Sequence, residues 1–297
     1  MHWYKYCLKF HSGMRTFIFY KLTGAGNDFI LFDLKDNHKL DITPHLAGSI
    51  CSRRFGIGAD GILVIKDSDG FDFEMAYYNA DGTTGSLCGN GARCAIKYAS
   101  ASGRLNKGTA NFAVNGIHYS GAVIDDEKIA FNFNEPEDLL QNLSFIAGEQ
   151  VIKGSFINTG APHLVINIKD VLSDIGNPSS FHTDIDSFPA YELGKKIRYS
   201  ETFSPAGVNV NFISTAEDVI KIRTYERGVE DETLACGTGS TAAAMIASLE
   251  YGYSSPVSLK TKGGDILTVA FKRKGLSFEN VTLTGPAKIV FKGEITI

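Results

Sequence analysis

"NADGTTGSLCGNGARC", residues 79–94, sets a cysteine, Cys88, immediately before a Gly-x-Gly turn. The continuation "GARCAIKYASASG" (91–103) puts Ala92, Ala95, Ile96 and Ala99 on one helical face and ends at Gly103, the spacing and terminator of an amphipathic helix. Half a chain later the arrangement returns. "CGTGSTAA" begins at Cys236, and "GSTAAAMIASLEYG" (239–252) is apolar all round from Ala242 to Ala247 before Gly252, as a buried helix is. Around both lie short apolar or alternating runs bounded by Gly, Asn and Asp: "TFIFYKL", "FILFDL", "GILVIK", "FEMAYYN", then "HLVINI", "NVNFI", "VIKIRTYE", "DILTVAF" and "KIVFKGEITI". These read as strands. The recurrence predicts a duplicated α+β (mixed α/β) architecture. Two pseudo-symmetric domains each wrap a curved sheet or barrel around the central helix that follows the cysteine, and a cleft lies between them.

A chain of 297 residues exceeds what one hydrophobic core serves, which agrees with two domains of about 150 residues each. The first boundary is placed in the polar, proline-containing "FNFNEPEDLLQ", giving an N-terminal domain of 14–132 plus 286–297 and a C-terminal domain of 133–285. Residues 1–13, "MHWYKYCLKFHSG", have no continuous apolar core, so they are read as an extension rather than a secretory signal, with Met14 the functional start. "SDIGNPSSFHTDIDSF" (173–188) is expected to be a surface loop.

With 43% hydrophobic and 21% charged residues the composition is globular, and no apolar run is long enough to span a bilayer. A formal charge of −4 without a Lys/Arg block offers no footprint for nucleic acid or an anionic membrane, so a small-molecule partner is expected. The five cysteines are too few for a disulfide scaffold and lack zinc spacing, which points to reduced thiols in the cytoplasm and no metal. Cys7, Cys51 and Cys94 read as small buried hydrophobes. "GAGND" is not a phosphate loop, since it lacks both GxxxxGK[ST] and GxGxxG.

A helix start exposes unpaired N–H groups and positive partial charge, which favour a thiolate or a ligand carboxylate. That effect, about 0.3–2 kcal/mol, is expected to lower a thiol from about 8.5 by roughly one unit. Two such thiols on either side of one ligand are what stereochemical inversion requires. One takes a proton from carbon and the other returns a proton to the opposite face, whereas a Cys-His hydrolase needs only one thiol.

Here the sequence resembles the diaminopimelate epimerase family, from about Phe17 to the C-terminus. The motifs "KLTGAGNDF" (21–29), "RFGIGADG" (54–61), "NADGTTGSLCGNGARC", "NTGAPHLV" (158–165), "GVNVNF" (207–212) and "YERGVEDETLACGTG" (225–239) stand in the family's order. The resemblance implies a cofactor-independent amino-acid epimerase of lysine and cell-wall biosynthesis, working as a homodimer on diaminopimelate. It makes Cys88 and Cys236 the two bases, with His163 assisting the first and Glu226 the second. It gives the backbone amides of Gly89, Asn90, Gly237 and Thr238 the carboxylate at the reacting carbon. Asn27, Asn79, Asn209, Glu226 and Arg227 take the remaining amino and carboxylate groups, Arg being suited to bidentate carboxylate recognition.

Four positions depart from the commoner family pattern: Gly61 stands where many members carry glutamine, Ala161 where they carry asparagine, and Leu22-Thr23 where Met-His is usual. Asn158, three residues before Ala161, offers a compensating amide. Two other readings stay open, a proline racemase-like enzyme and a thiol redox or binding protein in which Cys88 and Cys236 join reversibly.

Overall fold

In the computed structural model, which describes residues 14–85 and 87–297, the chain runs through the same itinerary twice. The expected extension 1–13, with His2, Cys7 and His11, lies outside the described residues. The first pass comprises β1 (Thr16–Gly24), β2 (Asn27–Asp33), α1 (Pro44–Cys51), β3 (Gly61–Lys66), β4 (Phe73–Asn79), α2 (Gly89–Ala101), β5 (Thr109–Val114), β6 (Ile117–Val123) and β7 (Lys128–Asn132). β8 (Glu137–Ala147) leads to the second pass: β9 (Gln150–Asn158), β10 (Pro162–Asn167), α3 (Ala190–Arg198), β11 (Asn209–Ser214), β12 (Ile220–Glu226), the short β13 (Asp231–Thr233), α4 (Gly237–Glu250), β14 (Val257–Lys260), β15 (Ile266–Lys274) and β16 (Ser277–Pro286). β17 (Lys288–Thr296) closes the chain.

Strand pairing repeats with the same senses. β1–β2 is antiparallel, β2–β3 parallel, β3–β4 antiparallel, β4–β5 parallel and β5–β6–β7 antiparallel. The second pass matches it: β9–β10 antiparallel, β10–β11 parallel, β11–β12 antiparallel, β12–β14 parallel and β14–β15–β16 antiparallel. The parallel steps β4 to β5 and β12 to β14 need a crossover, and α2 and α4 are those crossovers. The passes join through antiparallel β7–β16, while β17 pairs with β1 and β8 with β9.

Each crossover helix is the axis of a core. α2 buries Ala92, Cys94, Ala95, Ile96 and Ala99 against Phe29, Leu31, Leu63, Phe112 and Phe131. α4 buries the run Ala242–Ala247 against Val165, Ile213, Ile222, Leu259 and Leu283. Burying one such Leu, Ile or Phe side chain stabilises by about 1.5–3 kcal/mol, so these clusters hold the two helix N-termini in place. The outer faces are covered in parallel fashion, by α1 over Ile30, Phe32 and Ile62 and by α3 over Ile166, Val210 and Tyr225. Gly103 and Gly252 sit just past α2 and α4 at φ 75° and 76°, left-handed conformations in which glycine avoids a Cβ clash. The 173–188 stretch forms no helix or strand of its own. No described helix is long and apolar enough to cross a membrane.

Candidate active site

Cys88 is the N-cap of α2 and Cys236 the N-cap of α4, both with extended backbone. The Gly91 amide donates to Cys88 Sγ at 3.5 Å, and Cys236 Sγ lies 3.4 Å from Thr238 Oγ1. The glycine two residues after each N1 position packs against its own cysteine. A Cβ on Gly91 would lie 3.5 Å from Cys88 Cβ, and one on Gly239 would lie 3.3 Å from Cys236 Cβ. The two helix starts also meet each other: a Cβ on Gly89 would lie 4.0 Å from Gly237 Cα, and one on Gly237 would lie 3.7 Å from Gly89 Cα. Two sets of unpaired N–H groups therefore open onto one place.

That place is a cavity of about 220 Å³. Its wall carries Asn27, Asn79, Cys88, Gly89, Asn90, Asn209, Glu226, Arg227, Cys236, Gly237 and Thr238 together. Of the catalytic and substrate-binding residues that the resemblance implies, His163 is the one not on this wall. It is fully buried in β10, with Nδ1 3.1 Å from Asn211 Nδ2. Asn211 Oδ1 accepts from Thr224 Oγ1, and its Nδ2 also donates to the Leu164 carbonyl. The amide orientation assigned by that network makes Nδ1 an acceptor, so the proton is assigned to Nε2. Nε2 has no partner. Burial, then the Arg227 charge, lower the imidazole to about 3, so at neutral pH His163 is an uncharged N–H donor.

The asparagines are held as well as present. Asn27 donates to Asp60 Oδ2 at 3.0 Å and accepts from Asn90 Nδ2 at 2.6 Å. Asn209 donates to the Pro162 carbonyl at 2.9 Å and accepts from the Arg227 amide at 2.8 Å. Asn79 donates to Thr83 Oγ1 at 3.0 Å. Each amide keeps one N–H uncommitted among these bonds and is already oriented. Asp60 belongs to a network in which Arg53 and Lys21 face Asp28. Those cations hold the Asp28 carboxyl down at about 2, against the burial that would raise it.

The thiols differ from the sequence expectation. Burial, the largest influence, pushes Cys88 up to about 11 against the pull of the Gly91 and Asn90 amides, and Glu226 adds to the rise. Cys236 is raised further, again by burial first and Glu226 second. The expected lowering by the helix start is outweighed because desolvation disfavours an anion by more than one exposed helix turn favours it. Glu226, at the end of β12, is itself raised to about 7 by burial, with Cys236 among its hydrogen-bonding partners. A carboxyl at that value beside a thiol can take or give a proton near neutral pH.

One departure gains a structural account and one compensation fails. Gly61 opens β3 as Asn209 opens β11, yet no side chain fits there. A Cβ at Gly61 would lie 2.6 Å from Tyr77 Cε2, 2.6 Å from the Tyr78 carbonyl oxygen and 3.1 Å from the Tyr77 hydroxyl. Gly85 is the opposite wall of the same slot, its Cβ position 2.2 Å from Tyr77 Cδ1. Tyr77 thus fills the space of residue 61 and lines the cavity, a residue sequence reading missed because it sits inside a strand-like run. Ala161 also lines the cavity. Asn158 does not stand in for it: its Oδ1 accepts from the Gly160 amide at 3.1 Å, and the residue lines a neighbouring cavity.

Comparison with known proteins follows the same lines. The profile of the family described as diaminopimelate epimerase matches residues 19–137 and 155–290. The chain is 36% identical to the diaminopimelate epimerase of Aquifex aeolicus, over 94% of this chain and 97% of that one. It is 37% identical to that of Chlorobaculum tepidum, over 93% and 100%. Among solved structures it resembles a PhzF-family phenazine biosynthesis protein of Bacillus anthracis (TM-score 0.66, 14% identity, 95% and 100% covered). It also resembles a hydroxyproline epimerase of Agrobacterium vitis (TM-score 0.64, 13% identity, 95% and 93% covered). The structural likenesses speak for a shared two-domain fold.

Proposed function

The chain belongs to the diaminopimelate epimerase family, and from that premise we propose that Cys88 and Cys236 exchange the α-proton of diaminopimelate between its LL and meso forms. The observation that carries this is the meeting of two cysteine-capped helix starts on one cavity. In the reaction one sulfur, as thiolate, takes the proton from the α-carbon. The electron pair left behind spreads into the adjacent carboxylate, and the other sulfur, as thiol, gives its proton to the opposite face. Thiol and thiolate have then changed places, and proton exchange with solvent resets them.

The amides of Gly89, Asn90, Gly237 and Thr238 receive the α-carboxylate. They stabilise the charge that grows on it during proton removal, where fixed dipoles in a dry site act most strongly. A thiol as high as about 11 is a poor acid and, once ionised, a strong base, which suits removal of a carbon-bound proton. Glu226 relays the proton of Cys236, and His163 assists Cys88 as an N–H donor. Arg227, Asn27, Asn79 and Asn209 hold the distal amino-acid end. Supporting the division at 14–132 plus 286–297 and 133–285 are the repeated pairing order and the β1–β17 ladder. The reading as a cytosolic homodimer rests on the family resemblance.

The test is α-deuterium incorporation into LL-diaminopimelate in D₂O, under reducing conditions with no pyridoxal phosphate or metal added. Cys88→Ala and Cys236→Ala should each lower the rate of interconversion by about 10²-fold to 10⁴-fold. A folded, reduced wild-type protein that exchanges no α-proton would sink the epimerase mechanism and favour a redox role for the two thiols.

A further inference from the structure

Arg93, in the second turn of α2, is fully buried. Its Nη2 donates to Asn90 Oδ1 at 2.8 Å and its Nη1 to the Gly89 carbonyl at 3.3 Å, while Nε has no partner. Among the described residues no carboxylate forms an ion pair with it. A guanidinium withdrawn from water without an anion is costly, and buried charges are ordinarily paired. The seat is nevertheless built. A Cβ at Gly285, on β16 of the second pass, would lie 3.3 Å from Nε and 2.3 Å from Leu267 Cδ2.

What Arg93 holds indicates its role. Its two bonds go to the first turn of α2. By occupying Asn90 Oδ1 it fixes the Asn90 amide, whose Nδ2 then donates to Asn27 Oδ1 at 2.6 Å and to the Ala235 carbonyl at 3.4 Å, just before Cys236. Asn90 Oδ1 is also 3.3 Å from where a Gly237 Cβ would sit. One side chain therefore ties both helix starts, and Arg93 sets its orientation.

We propose that Arg93 is a positioning residue of the two-thiol site, fixing Asn90 between the helix starts and supplying a buried positive charge behind the first turn of α2, where a ligand carboxylate docks. The inference rests on the epimerase reading and deepens it: preference for a substrate with a free α-carboxylate comes partly from a side chain that does not touch the substrate. The charged and titratable groups around this charge are Cys88 and Cys94 on its own helix and Asp265 from the second pass. Cys88 in turn faces Glu226, Tyr77 and Cys236.

Arg93→Met and Arg93→Lys in the full chain test this with two readouts. The first is kcat and KM for LL-diaminopimelate. The second is the pH dependence of iodoacetamide alkylation at Cys88 in ligand-free protein, resolved by mass spectrometry, with thermal unfolding as the check on folding. Arg93→Met should raise KM and lower kcat/KM by about tenfold to a hundredfold and move the alkylation midpoint up by about one pH unit. Arg93→Lys should restore that midpoint but recover only part of kcat/KM, because an ammonium lacks the fork that bonds Gly89 and Asn90 together. If Arg93→Met does not fold, Arg93→Gln takes its place as the neutral variant. A folded neutral variant with unchanged KM and alkylation profile overturns the proposal, as does Arg93→Lys failing equally in both readouts. A wild type without α-proton exchange would defeat the epimerase reading and leave the alkylation arm to judge Arg93.

Discussion

Glu226 is held where its ionisation is opposed by burial first of all, and its folded value of about 7 lies well above the ordinary 4.5. Because the folded carboxyl keeps its proton more tightly than the unfolded one, its contribution to stability is fully present below pH about 4.5 and is lost as pH rises through about 7. Glu226→Gln cannot ionise. It should therefore unfold at a higher temperature than wild type at pH 8 and at a similar one at pH 4.5, while its exchange rate falls and loses the pH dependence centred near 7. Thermal scans at the two pH values and a pH–rate profile check this, and equal melting at both would contradict the burial argument. At the same scale, the place of Cys88 at a helix start was legible from the Gly-x-Gly that follows it, but its acidity was not. Sequence shows the helix dipole, while the burial that outweighs it comes with a core assembled from residues as distant in sequence as Phe29 and Leu63, against which Cys88 packs. Tyr77 was illegible for a like reason: only the fold reveals that Gly61 and Gly85 are the two walls of its slot.

Among elements, α4 shows how a helix start is fixed from its surroundings. Gly239 faces Asn211, and a Cβ there would lie 2.3 Å from Asn211 Oδ1. Asn211 cannot retreat without giving up Thr224, the Leu164 carbonyl and His163. Gly239→Ala should accordingly cost about 1–3 kcal/mol by overpacking, measured by urea unfolding, and should slow exchange because it pushes on the His163 support. Gly252→Ala would test a different term, the left-handed conformation alone, since nothing lies within 4 Å of its Cβ position. The central helices were readable because their periodicity is sustained and their glycine terminators are strong. Their starts fall two residues earlier than the apolar pattern suggests, at Gly89 and Gly237, since a cysteine cap and glycines carry no hydrophobic signal. Strands β3 and β4 coincide with their sequence runs, "GILVIK" and "FEMAYYN". The largely exposed β8, with only Phe145 and Ala147 buried, has too little apolar alternation to announce itself. The β5–β6 hairpin carried a usable sign, Asn115-Gly116 with both residues at positive φ, the turn chemistry that tight hairpins favour.

For the whole molecule, the proposed chemistry depends on two lobes holding two helix starts in mutual register across the junction between them. β7 pairs with β16 across it, and immediately after β7 the Phe133 ring packs against both central cores. It meets Phe131 edge-on at 4.7 Å between centroids, and its Cζ lies 3.3 Å from the Cβ position of Gly89. Phe133 is thus a side chain through which a shift between lobes would reach the first residue of α2. Truncating a fully buried phenylalanine costs about 3–5 kcal/mol. Phe133 is only partly buried, so Phe133→Ala should cost less, about 2 kcal/mol. Its larger effect should be catalytic. Loosening the junction lets the amides around the carboxylate drift, and a misplacement on the order of 1 Å can cost about 10²-fold in rate. Phe55, 92% exposed, is the matched control, and Phe55→Ala should stay within about 0.5 kcal/mol of wild type with full activity. Urea midpoints and α-proton exchange rates for both variants decide the matter. A Phe133→Ala protein that loses stability but exchanges at the wild-type rate would mean that the helix starts are held in register without the junction.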